Sequence, residues 1–319
     1  MNDASGPAAL QAGPAVRVRA PGKVNLLLSV GPRRPDGYHP LTTVFLAVDL
    51  YDDIEVRPNP LLRVTVHGHG ADEVPLDGGN LAARAARLLA AHAGFDTSVD
   101  IRIRKRIPVA GGMAGGSADA AATLVACNEL WSLGLTGPEL HDLATRLGSD
   151  VAFPLLGGAA VGTGRGELLV PLPGPDGTQF HWVFALSPRG LGTVAVFSEH
   201  DRLHIGGEAR SEREVLTDLD RLKDALLGCD VHALAAVAER GNDLQRAALS
   251  LRPDLRGTLR AGREAGALAA LVSGSGPTCA FLAESAEAAA ELAEILSASG
   301  TCRQALVATG PAAGCTALR

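Results

Sequence analysis

Apolar and polar residues alternate from Val16 onward. Val16 and Val18 fall on one side and Arg17 and Arg19 on the other, which predicts a β-strand. Pro21-Gly22 interrupts the pattern, and a second strand is expected beyond it. There Val24, Leu26, Leu28 and Val30 share one face, and Lys23, Asn25 and Leu27 share the other. Pro35-Asp36-Gly37 carries a turn signal. Further strands are expected near residues 42–48, 54–57, 62–67 and 99–103. Asn80 stands where a helix N-cap belongs, ahead of an alanine-rich run ending near Ala93. A second helix is predicted from about Ser117 to Trp131, with Ala120, Leu124, Cys127 and Trp131 at helical spacing. Thr136 and Glu139 form a capping box with Pro138 in the first turn, and Gly148 closes that third helix.

Residues 171–177 are rich in proline and glycine and read as a linker. Beyond it the pattern predicts a strand over 182–187 and helices over 214–227, 231–240 and 255–265. Strands over 268–272 and 278–282 follow, then a helix over 285–298 capped by Ser285 and a last strand over 304–308. Strands and helices are only partly segregated, so the fold class is α+β, with no internal repeat. A chain of 319 residues suits two domains, placed at 14–172 and 173–319, with residues 1–13 as a disordered tail.

Composition narrows the function. A net charge of −6 and a pI near 5.8 give no basic footprint for nucleic acid. No apolar run approaches the roughly 18 residues of a membrane span. Five cysteines, without a paired metal-ligand spacing or a signal peptide, suit reduced thiols in a cytoplasmic protein. Of the 29 basic residues only Lys23, Lys105 and Lys223 are lysines, so each is a candidate for work that arginine cannot do. Lys105, inside Arg104-Lys105-Arg106, is assigned no role, and its replacement by arginine is expected to be nearly silent.

Five segments carry candidate chemistry, and each has a plainer alternative. In Pro108-Val109-Ala110-Gly111-Gly112-Met113-Ala114-Gly115-Gly116-Ser117 a strand runs through four glycines into a helix start. Such a turn brings backbone N–H groups and a helix dipole to an anion, or merely lets a helix pack close to a sheet. It fits neither the Walker nor the dinucleotide spacing, and the Ser117 hydroxyl is a candidate ligand for Mg²⁺ or a phosphate oxygen. Asp150, in Leu147-Gly148-Ser149-Asp150-Val151, is either a general base or the N-cap of the next short segment. Lys23 and Asn25 suit phosphate or hydroxyl recognition, or a solvated strand face. Tyr38 and His39 could receive an aromatic base, or decorate an exposed turn. Ser273-Gly274-Ser275-Gly276-Pro277-Thr278 is a second hydroxyl-rich glycine loop that could face the first.

Taken in this order, the segments resemble the GHMP kinase superfamily, over roughly residues 16–282. The Pro-x-x-Gly-Gly-x-x-Gly-Gly-Ser loop is similar to its ATP-phosphate motif. Ala-Pro-Gly-Lys-Val-Asn-Leu, Asp-Gly-Tyr-His and Leu-Gly-Ser-Asp-Val together resemble a branch acting on a cytidine-diphosphate-linked sugar alcohol in non-mevalonate isoprenoid synthesis. The resemblance implies an N-terminal domain like the second domain of ribosomal protein S5, a ferredoxin-like C-terminal domain, and ATP-dependent phosphorylation of the substrate's 2-hydroxyl with Mg²⁺. It makes Lys23 and Asp150 the catalytic pair. It assigns Asn25, Tyr38, His39, Thr193 and Phe197 to the substrate, with Tyr38 and Phe197 as walls of a cytosine pocket. Asn80, Pro108, Gly111, Gly112, Met113, Ala114, Gly115, Gly116 and Ser117 go to the nucleotide, Asn80 at adenine. Met113-Ala114 replaces the commoner Leu-Gly, Ala118 the commoner second serine, and Val194 a common proline. A small-molecule substrate is implied, with no nucleic-acid or membrane partner; a homodimer is left open. Another kinase of the superfamily, or a non-catalytic nucleotide-binding relative, stays open as an alternative.

Overall fold

The computed structural model describes residues 14–174, 177, 179–204 and 210–318. The tail read over 1–13 and part of the expected linker lie outside the described residues. The elements run β1 (Val16–Val30), β2 (Leu41–Pro58), β3 (Arg63–Gly68), α1 (Leu81–Ala93), β4 (Val99–Lys105), α2 (Gly115–Leu130), α3 (Gly137–Leu147), α4 (Ala152–Leu156), β5 (Ala159–Thr163) and β6 (Leu168–Leu172). Then come β7 (Phe180–Leu186), α5 (Thr193–Leu203), α6 (Glu212–Gly228), α7 (Val231–Ala238), α8 (Gln245–Leu251), α9 (Leu255–Glu264), β8 (Ala269–Val272), β9 (Cys279–Ala283), α10 (Ala286–Ala298), β10 (Gln304–Gly310) and β11 (Thr316–Leu318).

The strand pairs expected on either side of Pro21-Gly22 and of residues 49–53 are single long strands. β1 and β2 pair antiparallel throughout, and the irregular residues are absorbed by register shifts at Pro21/Gly22 and Asn25/Leu27. These bulges bracket Lys23 and Asn25, so both side chains are aimed locally rather than by the plain pleat. The first sheet has the order β11-β1-β2-β4-β3, with β5 and β6 added along the other half of β2. Among the strands of the described residues, only β3 and β4 pair in parallel.

The second sheet has the order β10-β7-β9-β8. In chain order its strands fall first, second, third and fourth at β7, β8, β9 and β10, with helices before β8 and between β9 and β10. That is the ferredoxin-like arrangement. Alternation along β7 divides its side chains between two cores: Trp182, Phe184 and Leu186 join the core beneath the first sheet, while Val183 and Ala185 join one made with α8, α9 and α10.

The division at residue 172 is therefore not a division of the core. Val215, Leu222, Leu234 and Val237 from α6 and α7 pack into the same cluster as Val24, Leu26 and Leu124. The chain then returns, with β11 pairing to β1 and Ala313 bridging to Gly157. Asn80 caps α1 through bonds from the amides of Ala82 and Ala83, and the capping box of Thr136 and Glu139 is formed. α5, α8, β5, β6 and β11 were not expected from the sequence pattern.

Candidate active site

β4 ends at Lys105, and the chain from Arg106 to Ala114 forms an open loop before α2 begins at Gly115. Two constraints shape it. Gly112 has φ 73°, and a Cβ there would lie 2.1 Å from the Ser273 carbonyl oxygen. The loop over 273–278 therefore packs directly on this one, as its sequence suggested. At Gly115 a Cβ would meet Lys105 Nζ at 3.1 Å and Ile107 at 3.2 Å, so α2 starts hard against the strand end. Close packing thus explains some of the glycines. Gly115, Gly116 and Ser117, the first residues of α2, line a cavity of about 760 Å³. Their N–H groups have no partner inside the helix. Pro108, Gly111, Gly112 and Ala114 line the same cavity.

Met113 does not. It is fully buried in the core, and only its carbonyl is used here, accepting from the Lys23 amide at 3.2 Å. Asn80 is also absent from the cavity wall. Its Oδ1 is spent on the Ala82 and Ala83 amides and its Nδ2 on the Pro75 carbonyl, and its neighbour Leu81 is the lining residue.

Lys23 is 4% exposed, which removes the solvated-face alternative. Its Nζ donates to Asn25 Oδ1 at 2.6 Å and to the Gly112 carbonyl at 2.8 Å. Asn25 Nδ2 donates to Thr43 Oγ1, which donates to the Leu27 carbonyl, so the acceptor facing Lys23 is fixed in direction. Burial pushes the Lys23 pKa below the ordinary lysine range, opposed by the charge of Asp150. Asp150 Oδ2 lies 4.0 Å from that ammonium. The N-cap alternative for Asp150 fails, because α4 is capped at Val151 without a side-chain bond. Among the described residues no donor hydrogen-bonds to the Asp150 carboxylate, which is 40% exposed in the cavity.

At the other end of the cavity, Tyr38 is 54% exposed and the Arg165 guanidinium sits 4.9 Å from its ring centre. His39 is buried. Its Nδ1 bonds to the Gly31 carbonyl at 2.8 Å, its Nε2 lies 3.2 Å from Asp201, and its ring stacks on Phe197 at 5.4 Å between centroids. Thr193 Oγ1 is 3.0 Å from Ser275 Oγ and joins α5 to the second glycine loop. Asp201, Arg33 and Arg165 also face the cavity and were missed in the sequence. Phe197 and Asp201 are four residues apart on α5, so reading that segment as a helix would have found Asp201.

The largest correction concerns Lys105. It is 3% exposed, and its ammonium lies between Asp52 Oδ2 and, at 2.8 Å, Asp119 Oδ2. Asp52 Oδ1 accepts from the amides of Arg106 at 2.6 Å and Ile107 at 2.9 Å. Burial alone would lower the Lys105 pKa, but Asp119 and Asp52 outweigh it and hold it above the ordinary range. Burial and Asp52 push the Asp119 carboxyl well above the usual carboxylate range, against the pull of Lys105. The expectation of a silent replacement at Lys105 does not survive this burial. The signal was in the strand period: Ile101, Ile103 and Lys105 share the inward face of β4, and Arg102 and Arg104 the outward one.

Donors at a helix start, a buried lysine and a carboxylate with no hydrogen-bond donor line one cavity, an arrangement that suits phosphoryl transfer by a small-molecule kinase. Two family patterns match the chain: GHMP kinases N terminal domain over residues 80–158, and GHMP kinases C terminal over residues 218–302. The chain belongs to the GHMP kinase family. It is 56% identical to the 4-diphosphocytidyl-2-C-methyl-D-erythritol kinase of Streptomyces coelicolor, over 95% of this chain and 99% of that one. It is also 56% identical to the Thermobifida fusca protein of the same name, over 94% and 97%. A crystal structure of 4-(cytidine 5'-diphospho)-2C-methyl-D-erythritol kinase superposes with a TM-score of 0.72 at 33% identity, covering 93% of this chain and 99% of that one. The homoserine kinase of Cytophaga hutchinsonii gives 0.75 at 19% identity, covering 95% and 97%. The fold is thus common to kinases of different substrates, and sequence identity separates them.

Proposed function

We infer that this chain transfers the γ-phosphoryl group of ATP to the 2-hydroxyl of 4-diphosphocytidyl-2-C-methyl-D-erythritol, a step in isoprenoid precursor synthesis. The observation that carries this reading is the Lys23–Asp150 pair, 4.0 Å apart, in the cavity that the α2 amides also line. The triphosphate lies along the loop over 108–117 with its oxygens on the amides of Gly115, Gly116 and Ser117. Asp150 accepts the proton of the acceptor hydroxyl as its oxygen bonds to the γ-phosphorus and the bond to the β-phosphate oxygen breaks, releasing ADP. Lys23 balances the charge of the carboxylate and of the transferring group.

Among the described residues no cluster of three or more His, Cys, Asp or Glu could hold a metal. That suits Mg²⁺, which is commonly carried by substrate phosphates with one or two protein oxygens. Ser117 is the hydroxyl residue of this loop that lines the cavity, whereas Asp119 is buried against Lys105. When bound, Mg²⁺ would offset the charge of the phosphate oxygens, and Ser117 is the loop residue that would help to hold it. Asn80 serves the nucleotide indirectly, by fixing the start of α1 and with it Leu81. Tyr38 forms one wall for cytosine and Phe197, backed by His39, the other. Arg33 and Arg165 supply positive charge for the diphosphate of the acceptor substrate.

Proton-coupled phosphorus NMR of the product tests the position of transfer. Carbon 2 bears the methyl group and no hydrogen, so a phosphomonoester there gives a line unsplit by a carbinol proton. A doublet or triplet would place the phosphate on another hydroxyl and refute the assignment.

A further inference from the structure

Three side chains buried beneath the phosphate loop take no part in the chemistry above. We propose that Lys105, Asp52 and Asp119 are positioning residues for the nucleotide: together they tie both ends of the phosphate loop to β2 and so set where the first amides of α2 stand. The inference rests on reading that loop as the triphosphate site. The entering end is held at Arg106 and Ile107, whose amides donate to Asp52 Oδ1. The leaving end is held at Asp119, two residues past Ser117 on α2, whose Oδ2 accepts from Lys105 Nζ. Lys105 bridges Asp119 to Asp52, and all three side chains are at most 4% exposed.

The loop needs such a clamp. Ala110 and Ala114 adopt φ 51° and 60°, a left-handed conformation that alanine disfavours. Strained residues persist where their surroundings over-determine them. The ammonium also leaves no room for a side chain at Gly115, where a Cβ would lie 3.1 Å from Lys105 Nζ. A buried ion pair is a poor source of net stability, which leaves geometry as what this one supplies.

Asp119→Leu is close in size and cuts the tether to α2. It leaves Lys105 and Asp52 as a neutral pair with both amide bonds intact, so the variant should fold. Asp52→Asn leaves a neutral pair of Lys105 and Asp119 and weakens the tether at β2. Leu296→Ala is the control for plain destabilisation, because Leu296 is fully buried in the core of α8, α9 and α10. Steady-state kinetics are run for both substrates at a temperature where circular dichroism shows all variants folded. A displacement near 1 Å costs roughly 10²-fold. Asp119→Leu is therefore expected to lose about that much kcat/KM for ATP, with Asp52→Asn falling in the same direction. KM for the cytidine substrate should stay within about threefold in both, and Leu296→Ala should melt lower yet keep its kcat/KM for ATP. The inference is overturned if Asp119→Leu and Asp52→Asn both stay within about threefold of wild type for ATP, or if Leu296→Ala loses as much as they do. A wild-type enzyme that turns over while these variants are unchanged sinks only the clamp; a wild type that does not turn over sinks the functional reading.

Discussion

Lys23→Arg keeps the charge and asks whether the shape of the ammonium matters. Lys23 Nζ is enclosed by Asn25 Oδ1 at 2.6 Å, the Gly112 carbonyl at 2.8 Å and the backbone of Gly274, where a Cβ would lie 3.1 Å away. Arginine is longer, planar and a fork of five donors. It cannot place one nitrogen between these acceptors without moving the loop, and it can instead grip Asp150 with two bonds. A shift near 1 Å costs roughly 10²-fold, or about 2.7 kcal/mol of transition-state stabilisation. We expect kcat to fall by about that factor while circular dichroism and Tm stay near wild type. Lys223→Arg is the proper control, since Lys223 is exposed on α6. Lys105→Arg cannot serve, because Lys105 is 3% exposed and ion-paired. If Lys23→Arg keeps kcat within about threefold, under about 1 kcal/mol, the catalytic reading of Lys23 is wrong.

Four further outcomes follow from the same geometry. Asp150→Asn should lower kcat by roughly 10²–10⁴-fold with ATP binding retained; wild-type turnover would remove Asp150 from the mechanism. Tyr38→Ala should cost about 1–3 kcal/mol of stacking, read as a higher KM for the cytidine substrate alone, and a selective rise for ATP would mean the two pockets are exchanged. Ala114 is held at φ 60°, so Ala114→Gly should raise stability, by about 0.5–1 kcal/mol after the added freedom of the unfolded chain; a lower Tm contradicts this. Lys23 acts protonated and burial lowers its pKa, so kcat should fall as pH rises through a value below the ordinary lysine range, and the residual activity of Lys23→Arg should lack that limb. An alkaline limb at the same pH in both would assign it elsewhere.

Much of the cavity lining was legible because its residues lie in short contiguous motifs. Lys23, Asn25, Tyr38, His39, Asp150, Thr193 and Phe197 all line the cavity with the phosphate loop. What escaped depended on elements whose local sequence points elsewhere. Thr193-Val194-Ala195-Val196-Phe197 is β-branched and aromatic, a poor helix former, yet it opens α5 because packing overrides propensity. Without α5, Asp201 has no reason to face His39. Pro21 reads as a strand breaker, but a bulge takes it into β1 and aims Lys23. Asn80 was identified correctly as a cap, and that same capping commits its side chain away from the cavity. Three basic residues in a row suggest surface charge, and only the strand period shows the middle one pointing in. β11 has three residues, too few for any periodicity.

Whether this chain phosphorylates the cytidine-diphosphate-linked sugar alcohol is decided by ADP release with ATP and 4-diphosphocytidyl-2-C-methyl-D-erythritol, run beside homoserine, mevalonate and galactose at equal concentration. The site described here predicts turnover with the cytidine substrate and background release with the other three. Turnover of homoserine, mevalonate or galactose with the cytidine substrate at background would contradict it.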